Sequence, residues 1–353
     1  MPDSHSPRRL VLLTEGSLDP YNAKTAVGVL RYRPEHVACV LDSLRAGEDL
    51  EKLVGTGRGI PIVGTLEEAL ATHPTGLLLG TVAPGGRIPQ SWRTLIIAFL
   101  ERGLDVISGL HQFLTEDPTL MAIAARTGAT IQDLRRPPAD LGVATHIAKD
   151  QPGLRVLTVG TDCNLGKKVT SLEMARAARA AGWDAAFVAT GQTGIAIDGK
   201  GIAIDAVISD FVAGAAERLV VESANHEVLF IEGQGAITHP GFSGVTLGLL
   251  HGSAPQAMVL CHHATRRYMR ACPTPTPVPS PAQVLPLYER LANVLFPSKV
   301  VAVSINTLEL PEDEARAVIA RTESELGLPA TDPVRFGVEK LLNALEPLRR
   351  EHT

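Results

Sequence analysis

The chain has 353 residues, 45% of them apolar and 20% charged, which is enough material for two domains with cores of their own and makes an ordered globular chain, not a disordered one, the expected state. Its formal net charge of −5 carries no basic excess of the kind that engages nucleic-acid phosphates or anionic lipid, so neither partner is expected. Cys39, Cys163, Cys261 and Cys272 are too scattered for a zinc site or a secreted disulfide framework, and neither a signal peptide nor a bilayer-spanning run is visible, which together point to a cytoplasmic protein.

From the N terminus, "RLVLLT", "HVACVLDS", "GIPIV", "TGLLLGT" and "LDVISG" read as short buried strands, with helical patterns such as "AKTAVGVLRY" and "SWRTLIIAFLERG" between them. Strand and helix in alternation imply a layered, mainly parallel sheet. The first turn holds one glycine, Gly16, in place of the glycine fingerprint of dinucleotide-binding proteins, so a nicotinamide cofactor is poorly supported despite Asp42 at a strand end. The pattern breaks at "IQDLRRPPADLGVATHIAKDQPG", and the expected domains are residues 1–148 and 149–353. Strands resume through "LRVLTVG", "DAAFVATG", "EVLFIEGQG", "PQAMVLCHH" and "KVVAVSINT", each ending in small or polar residues where an open parallel sheet forms its ligand crevice. The segment "ACPTPTPVPSPAQVLP", Ala271 to Pro286, is rich enough in proline to predict an extended loop or lid.

The strongest signal follows "RVLTVG". Gly160, Thr161, Asp162, Cys163, Asn164, Leu165, Gly166, Lys167 and Lys168 lead into the helix-forming run "SLEMARAARAAG", which is the strand, glycine turn and helix order of a phosphate-binding loop. Backbone N–H groups at such a turn and at the helix N terminus form a positive nest, to which Lys167 adds a full charge. The loop departs from the common pattern by one extra residue and by Lys168, an ammonium where a hydroxyl would hold magnesium. Thr170 or Ser171 could replace that hydroxyl only with altered geometry.

The wording "GTDCNLGKK" resembles the phosphate loop of dethiobiotin synthetase and its relatives. That resemblance extends to "FIEGQG", which would place Glu232 near the phosphates, and to "VAVSINT", in which Asn306 would be the base-reading residue. Over nearly the whole chain, the blocks "NAKTAVGVLRYRPE", "SGLHQFL", "GTDCNLGKKVTSLEMARAAR", "ATGQTGIAIDG", "DAVISDFVAGAAE" and "IEGQGAITHPGFSGVTLGLLHGSAPQAMVLCH" resemble a family long catalogued only as a domain of unknown function. Some members of that family are assigned as D-glutamate N-acetyltransferases. The resemblance implies two α/β domains, a Rossmann-like N-terminal one and a P-loop NTPase-like C-terminal one. It also implies acetyl-CoA as co-substrate and an acidic D-amino acid as acceptor. Layered two-domain enzymes with apolar helix faces often associate, so a homo-oligomer is expected.

Coenzyme A carries a pyrophosphate and a 3′-phosphate, so a loop of this kind can grip it without hydrolysing anything, and Lys168 then supplies direct charge-assisted hydrogen bonds. Gly160, Thr161, Asp162, Cys163, Asn164, Gly166, Lys167, Lys168, Val169 and Asn306 form the expected cofactor site. Transfer of acetyl to an amine needs a proton acceptor, for which "EGQGAITHPGFSG" offers Glu232 and His239, with Gln234 and Ser243 as substrate contacts. Gln192 and Thr193 in "ATGQTG" could contact ligand or satisfy the turn, and Lys24, Arg31 and His111 supply cations or donors for an acidic acceptor. Asp205 and Asp210 stand a helical step apart as helix-entry acids. Cys163 raises an acetyl-cysteine route, whereas Cys261, His262 and His263, alternating on a strand, do not suit a metal, and none is expected. Two other readings compete with acetyl transfer: a magnesium- and ATP-dependent ligase or kinase like dethiobiotin synthetase, and a nucleotide-binding regulator without catalysis.

Overall fold

The computed structural model describes residues 8–81 and 88–352. In chain order the elements are β1 (Leu10–Leu13), α1 (Lys24–Tyr32), β2 (Val37–Leu41), α2 (Leu50–Val54), β3 (Ile62–Val63), α3 (Leu66–Ala71), β4 (Gly76–Leu79), α4 (Gln90–Leu100), β5 (Asp105–Ser108), α5 (Pro118–Thr127) and β6 (Ile131–Asp133). They continue with β7 (Leu154–Gly160), α6 (Lys167–Ala180), β8 (Ala185–Val188), α7 (Gln192–Asp198), α8 (Val212–Glu222), β9 (Val228–Ile231), α9 (Ser243–Ser253), β10 (Ala257–His263), α10 (Pro281–Ala292), β11 (Lys299–Asn306), α11 (Glu312–Leu326), β12 (Ala330–Thr331) and α12 (Glu339–His352). Two compact units result, one of residues 1–136 and 192–206, the other of residues 137–191 and 207–353.

The first unit is built on a parallel sheet in the order β3-β2-β1-β4-β5-β6, the doubly wound arrangement. Its strands are short continuous apolar runs because helices cover both faces, and Val11, Leu13, Leu77, Leu79, Phe99 and Val106 meet in one core. Local signals fix the helix ends. Thr65 and Glu68 make a reciprocal capping box on α3, and Asp117 caps α5 ahead of Pro118, with Gly128 at φ +79 closing it. Asp42 at the end of β2 is fully buried and accepts from Thr14 Oγ1, Gly16 N and Leu44 N, so this strand-end carboxylate is spent on its own turn rather than left for a ribose. Helix α7 packs on α1, where Thr193 Oγ1 and Thr25 Oγ1 lie 2.8 Å apart and Arg33 Nε donates to Ile197 O.

The second unit holds a parallel sheet in the order β12-β11-β10-β7-β9-β8, with β7 near its middle and its carboxyl end leading into the phosphate loop. Residues 137–148, expected at the end of the first domain, are tied to this unit: Glu217 on α8 accepts from Thr145 N, Thr145 Oγ1 and Ile147 N. Arg155, inside β7, is fully buried, and its guanidinium donates to the carbonyls of Ala254, Gln151, Gly153 and Lys149. Burial pushes its pKa down to about 10, leaving it charged at neutral pH.

Several expectations are corrected. The proline-rich segment is not loop throughout: α10 begins at Pro281, a position that needs no N–H, and Ser280 with Gln283 forms a capping box. Pro286 sits inside that helix, which persists because Val284, Tyr288 and Ala292 are buried. Asp205 and Asp210 belong to separate single turns, Ile204–Ala206 and Ser209–Phe211, rather than to one helical step. Strands β6 and β12 had no sequence signal, because with 3 and 2 residues they are too short for period-two patterning to show.

Candidate active site in the phosphate loop

The loop from Gly160 to Lys167 is held from several sides. Tyr288 Oη donates to Gly160 O at 2.8 Å and accepts from Ile237 N at 3.0 Å, joining the start of the loop to the segment after β9. Burial drives the Tyr288 phenol up to about 12, so it remains a neutral donor. Thr161 N bonds Cys261 O, and Thr161 Oγ1 lies 2.9 Å from His262 Nδ1. Asn164 at φ +62 and Gly166 at φ +115 turn the chain so that α6 starts directly behind the loop, and no side chain caps that helix N terminus. The N–H groups of its first turn are therefore the natural partners of a bound anion.

Asp162 is the electrostatic centre of the loop. It is fully buried and accepts from Cys163 N at 2.7 Å, Arg270 N at 2.9 Å and Arg266 Nη1 at 3.1 Å. Arg266 also donates to Cys163 O at 2.7 Å and to Asn164 O at 3.0 Å, so one guanidinium gathers the loop carbonyls on its side. Asn306 Nδ2 reaches Leu165 O at 3.4 Å, which places this residue against the loop. Lys167 is buried, with Nζ on Asp162 O at 2.9 Å, and burial pushes its pKa below the ordinary lysine range. Gly233 makes the room for it: a Cβ there would meet Thr158 O at 1.6 Å and Lys167 Cδ at 3.1 Å.

The hydroxyls that might have served magnesium are committed elsewhere. Thr170 Oγ1 pairs with Ser304 Oγ at 2.8 Å and donates to Gly166 O, and Ser171 Oγ pairs with Thr158 Oγ1 and donates to Ile231 O. What the loop offers is lysine charge and backbone donors, a set that fits pyrophosphate oxygens without a cation. Lys168, half-buried, follows Lys167 on the first turn of α6.

Glu232 ends β9 nearly buried; its Oε2 accepts from Thr190 N at 3.0 Å and Gly191 N at 3.1 Å, and Gln234 Nε2 donates to Thr190 Oγ1. His239 is only 2% exposed and stacks on Phe242. Its Nδ1 accepts from Gly241 N at 3.1 Å, so the ring proton sits on Nε2 and points to Arg270 O at 2.8 Å. Ligand atoms of Asp162, Cys163 and His239 lie within 4.8 Å of one another, but the carboxylate is occupied by Arg266 and the imidazole offers no free lone pair, so the donor set does not fit a metal. Burial and then Asp162 push the Cys163 thiol upward, against a thiolate nucleophile. His262 and His263 are each turned to a threonine, Thr161 and Thr265.

Glu232, Gln234, His239, Asn306 and the loop residues up to Val169 thus belong to the second unit, as does Ser243, whose N–H bonds His239 O at the start of α9. Lys24, Arg31, His111, Gln192 and Thr193 belong to the first unit, with Lys24 and Arg31 at opposite ends of α1 and His111 exposed just after β5. Sequence reading overlooked Arg266, Arg270 and Tyr288. The run "ATRRYMR" beyond a central strand was the available signal for the arginines, whereas nothing local marks Tyr288, which reaches the loop from 128 residues away.

Residues 142–342 match a family described as a P-loop domain of unknown function, DUF1611_C, and residues 43–137 match its Rossmann-like N-terminal partner, DUF1611_N. The chain belongs to the DUF1611 family. A D-glutamate N-acetyltransferase from Tritonibacter scottomollicae is 40% identical over 336 residues, covering 93% of this chain and 95% of that protein. Another protein of that name, from a Pseudoalteromonas species, is 38% identical over 276 residues, covering 78% of this chain and 82% of its own. The crystal structure of a DUF1611 family protein from Anabaena variabilis, at 2.30 Å resolution, superposes with a TM-score of 0.91 at 40% identity, over 96% of this chain and 99% of that one. The Rossmann-like and P-loop domains expected for the family are the two parallel-sheet units described above. Among the described residues no helix is long and apolar enough to cross a membrane.

Proposed function

We propose that this DUF1611 member is an acetyl-CoA-dependent N-acetyltransferase whose acceptor is the amino group of an acidic D-amino acid, D-glutamate first among them. The observation that carries the reading is 40% identity over 93% of the chain to a D-glutamate N-acetyltransferase. The phosphate loop supports it chemically, because Lys168 stands where a magnesium-dependent enzyme needs a hydroxyl, and Thr170 and Ser171 are bonded into the interior. That arrangement weighs against an ATP-dependent ligase or kinase. In this reading Lys167, Lys168 and the N terminus of α6 hold the phosphates of coenzyme A, with Asn306 bracing the loop.

The acceptor amine attacks the thioester carbonyl carbon, the carbon–sulfur bond breaks, and the sulfur leaves with coenzyme A. The proton lost by the amine goes to Glu232. Its carboxylate is fixed by the Thr190 and Gly191 N–H groups, whereas His239, with both ring nitrogens engaged, closes the turn. Purified protein given acetyl-CoA and D-glutamate should release free coenzyme A thiol and form N-acetyl-D-glutamate without magnesium or ATP. Glu232→Gln should lower kcat by about 100-fold with the KM for acetyl-CoA little changed, the usual size of a lost general base. Binding of acetyl-CoA without acetylation of any amino acid would overturn the activity and leave the loop assignment standing.

A further inference from the structure

Two sulfurs of the second unit meet at one imidazole beside the phosphate loop. Cys272 Sγ lies 3.7 Å from His239 Nε2, and Cys163 Sγ lies within 4.8 Å of a nitrogen of the same ring. Cys163 Sγ is also 3.7 Å from Arg270 O, the carbonyl that takes the His239 Nε2–H at 2.8 Å. Both cysteines are free and half-buried, so a small reagent in solution can reach them. The other two differ: Cys39 and Cys261 are sealed inside different units, and burial raises both thiols, Cys39 to about 11.

Cys272 is brought there by a hairpin within the proline-rich segment. Met269 N donates to Thr276 O and Val278 N to Arg267 O, with Tyr268 opposite Pro277, so residues 270–275 form its tip. Every residue of that tip is exposed except Cys272. Ala271 holds φ +62, a left-handed conformation that an alanine rarely adopts, and Arg270 N beside it donates to Asp162 Oδ2 at 2.9 Å. Backbone held in such a conformation persists where its surroundings fix it, and it clusters at working sites. Acetyl transfer, as derived above, makes no use of a thiol at position 272.

We propose that Cys163 and Cys272 are a dithiol modification site for hydrogen peroxide, and that the disulfide they form staples the hairpin tip to the phosphate loop and weakens its grip on coenzyme A. The inference rests on the acetyl-transfer reading for the ligand, and not for the disulfide. Cys272 reacts first, because the His239 Nε2–H faces its sulfur, whereas the sulfur of Cys163 has the buried Asp162 carboxylate beside it. The Cys272 sulfur attacks one peroxide oxygen; the S–O bond forms, the O–O bond breaks, and the thiol proton leaves with the other oxygen as water. The Cys163 sulfur then attacks the sulfenic sulfur; the S–S bond forms, the S–O bond breaks, and the hydroxyl leaves with the Cys163 proton as a second water. The two thiols are oxidised and the peroxide is reduced. A disulfide holds its sulfurs about 2 Å apart, so closing it draws the loop at Cys163 toward the tip. The N–H groups that follow, from Asn164 to Lys168, shift with it and lose their setting for phosphate.

The test is peroxide titration of the full chain, followed by mass spectrometry of the intact protein and of its unreduced peptides. Equimolar peroxide should produce a Cys163–Cys272 disulfide within one chain, and dithiothreitol should reverse it. On oxidation the Kd for acetyl-CoA, read by calorimetric titration, should rise about tenfold or more, the size of one lost charged hydrogen bond, and it should return on reduction. Cys272→Ser should keep the affinity of the reduced protein and make it insensitive to peroxide. A disulfide between two chains, over-oxidation of either cysteine without a Cys163–Cys272 bond, or a disulfide that leaves acetyl-CoA affinity unchanged overturns the switch and leaves the acetyltransferase intact. If the reduced protein does not bind acetyl-CoA, the activity reading fails by itself and inorganic pyrophosphate becomes the probe of the loop: binding that weakens on oxidation upholds the switch, and unchanged or absent binding rejects it.

Discussion

On the proposed acetyl-transfer reading, Lys168 is the residue on which the chemistry of the loop turns. Where a magnesium hydroxyl would sit, its ammonium repels a divalent cation and attracts phosphate directly. Lys168→Thr should therefore weaken coenzyme A by about 1.5–3 kcal/mol, the size of a hydrogen bond to a charged group, and create no magnesium-dependent ATPase. Isothermal titration and an ADP-release assay read both outcomes; a gain of ATPase with unchanged coenzyme A affinity would contradict the role given to this lysine. His262 carries a different consequence. Burial, then the charges of His263 and Arg266, pull its pKa from 6.5 to about 4, while in the unfolded chain it keeps its ordinary value. Between those values the unfolded state binds more protons, so stability rises with pH and is lost on acidification from about 6.5 to about 4, by about 3 kcal/mol in order of magnitude. Urea midpoints across that range should fall more steeply for the parent than for His262→Gln.

The loop as an element owes its shape to residues outside it. Arg266, beyond β10, neutralises Asp162 and gathers the carbonyls of Cys163 and Asn164, while Tyr288 from α10 fixes Gly160. Removing Arg266 leaves Asp162 as a buried carboxylate with only backbone donors. Arg266→Met should then destabilise the protein by about 3 kcal/mol in chemical denaturation, the lower range for breaking a buried ion pair, and weaken coenzyme A as well. Arg266→Lys, which restores the charge without the fork that reaches the Cys163 and Asn164 carbonyls, should recover stability more than affinity. Helix α10 shows how an element can be misjudged from composition. Proline counts against helix in its interior but not at the first position, and the Ser280 and Gln283 cap was written in the sequence beside it.

At the scale of the whole molecule, two parallel sheets are each surrounded by helices, and the chain enters the first unit a second time through residues 192–206. That excursion was invisible in the sequence, where "ATGQTG" reads as one more strand end of the P-loop domain. Its membership rests on contacts of Thr193 with Thr25 and of Ile197 with Arg33, more than 160 residues apart along the chain. The sequence alone determined the local devices: apolar runs long enough for doubly covered strands, the glycines and lysines of the loop, and Glu232 at a strand end. Those follow from backbone geometry and burial within a few residues, which is information a single stretch of chain contains. Only the tertiary structure decided which side chains those devices meet. It placed Arg266 and Tyr288 on the loop, turned His239 into a closed turn by giving each ring nitrogen a partner, and buried Arg135 with one carboxylate for company. Such pairings depend on elements folding together from distant parts of the chain, and residue type and spacing carry no record of them.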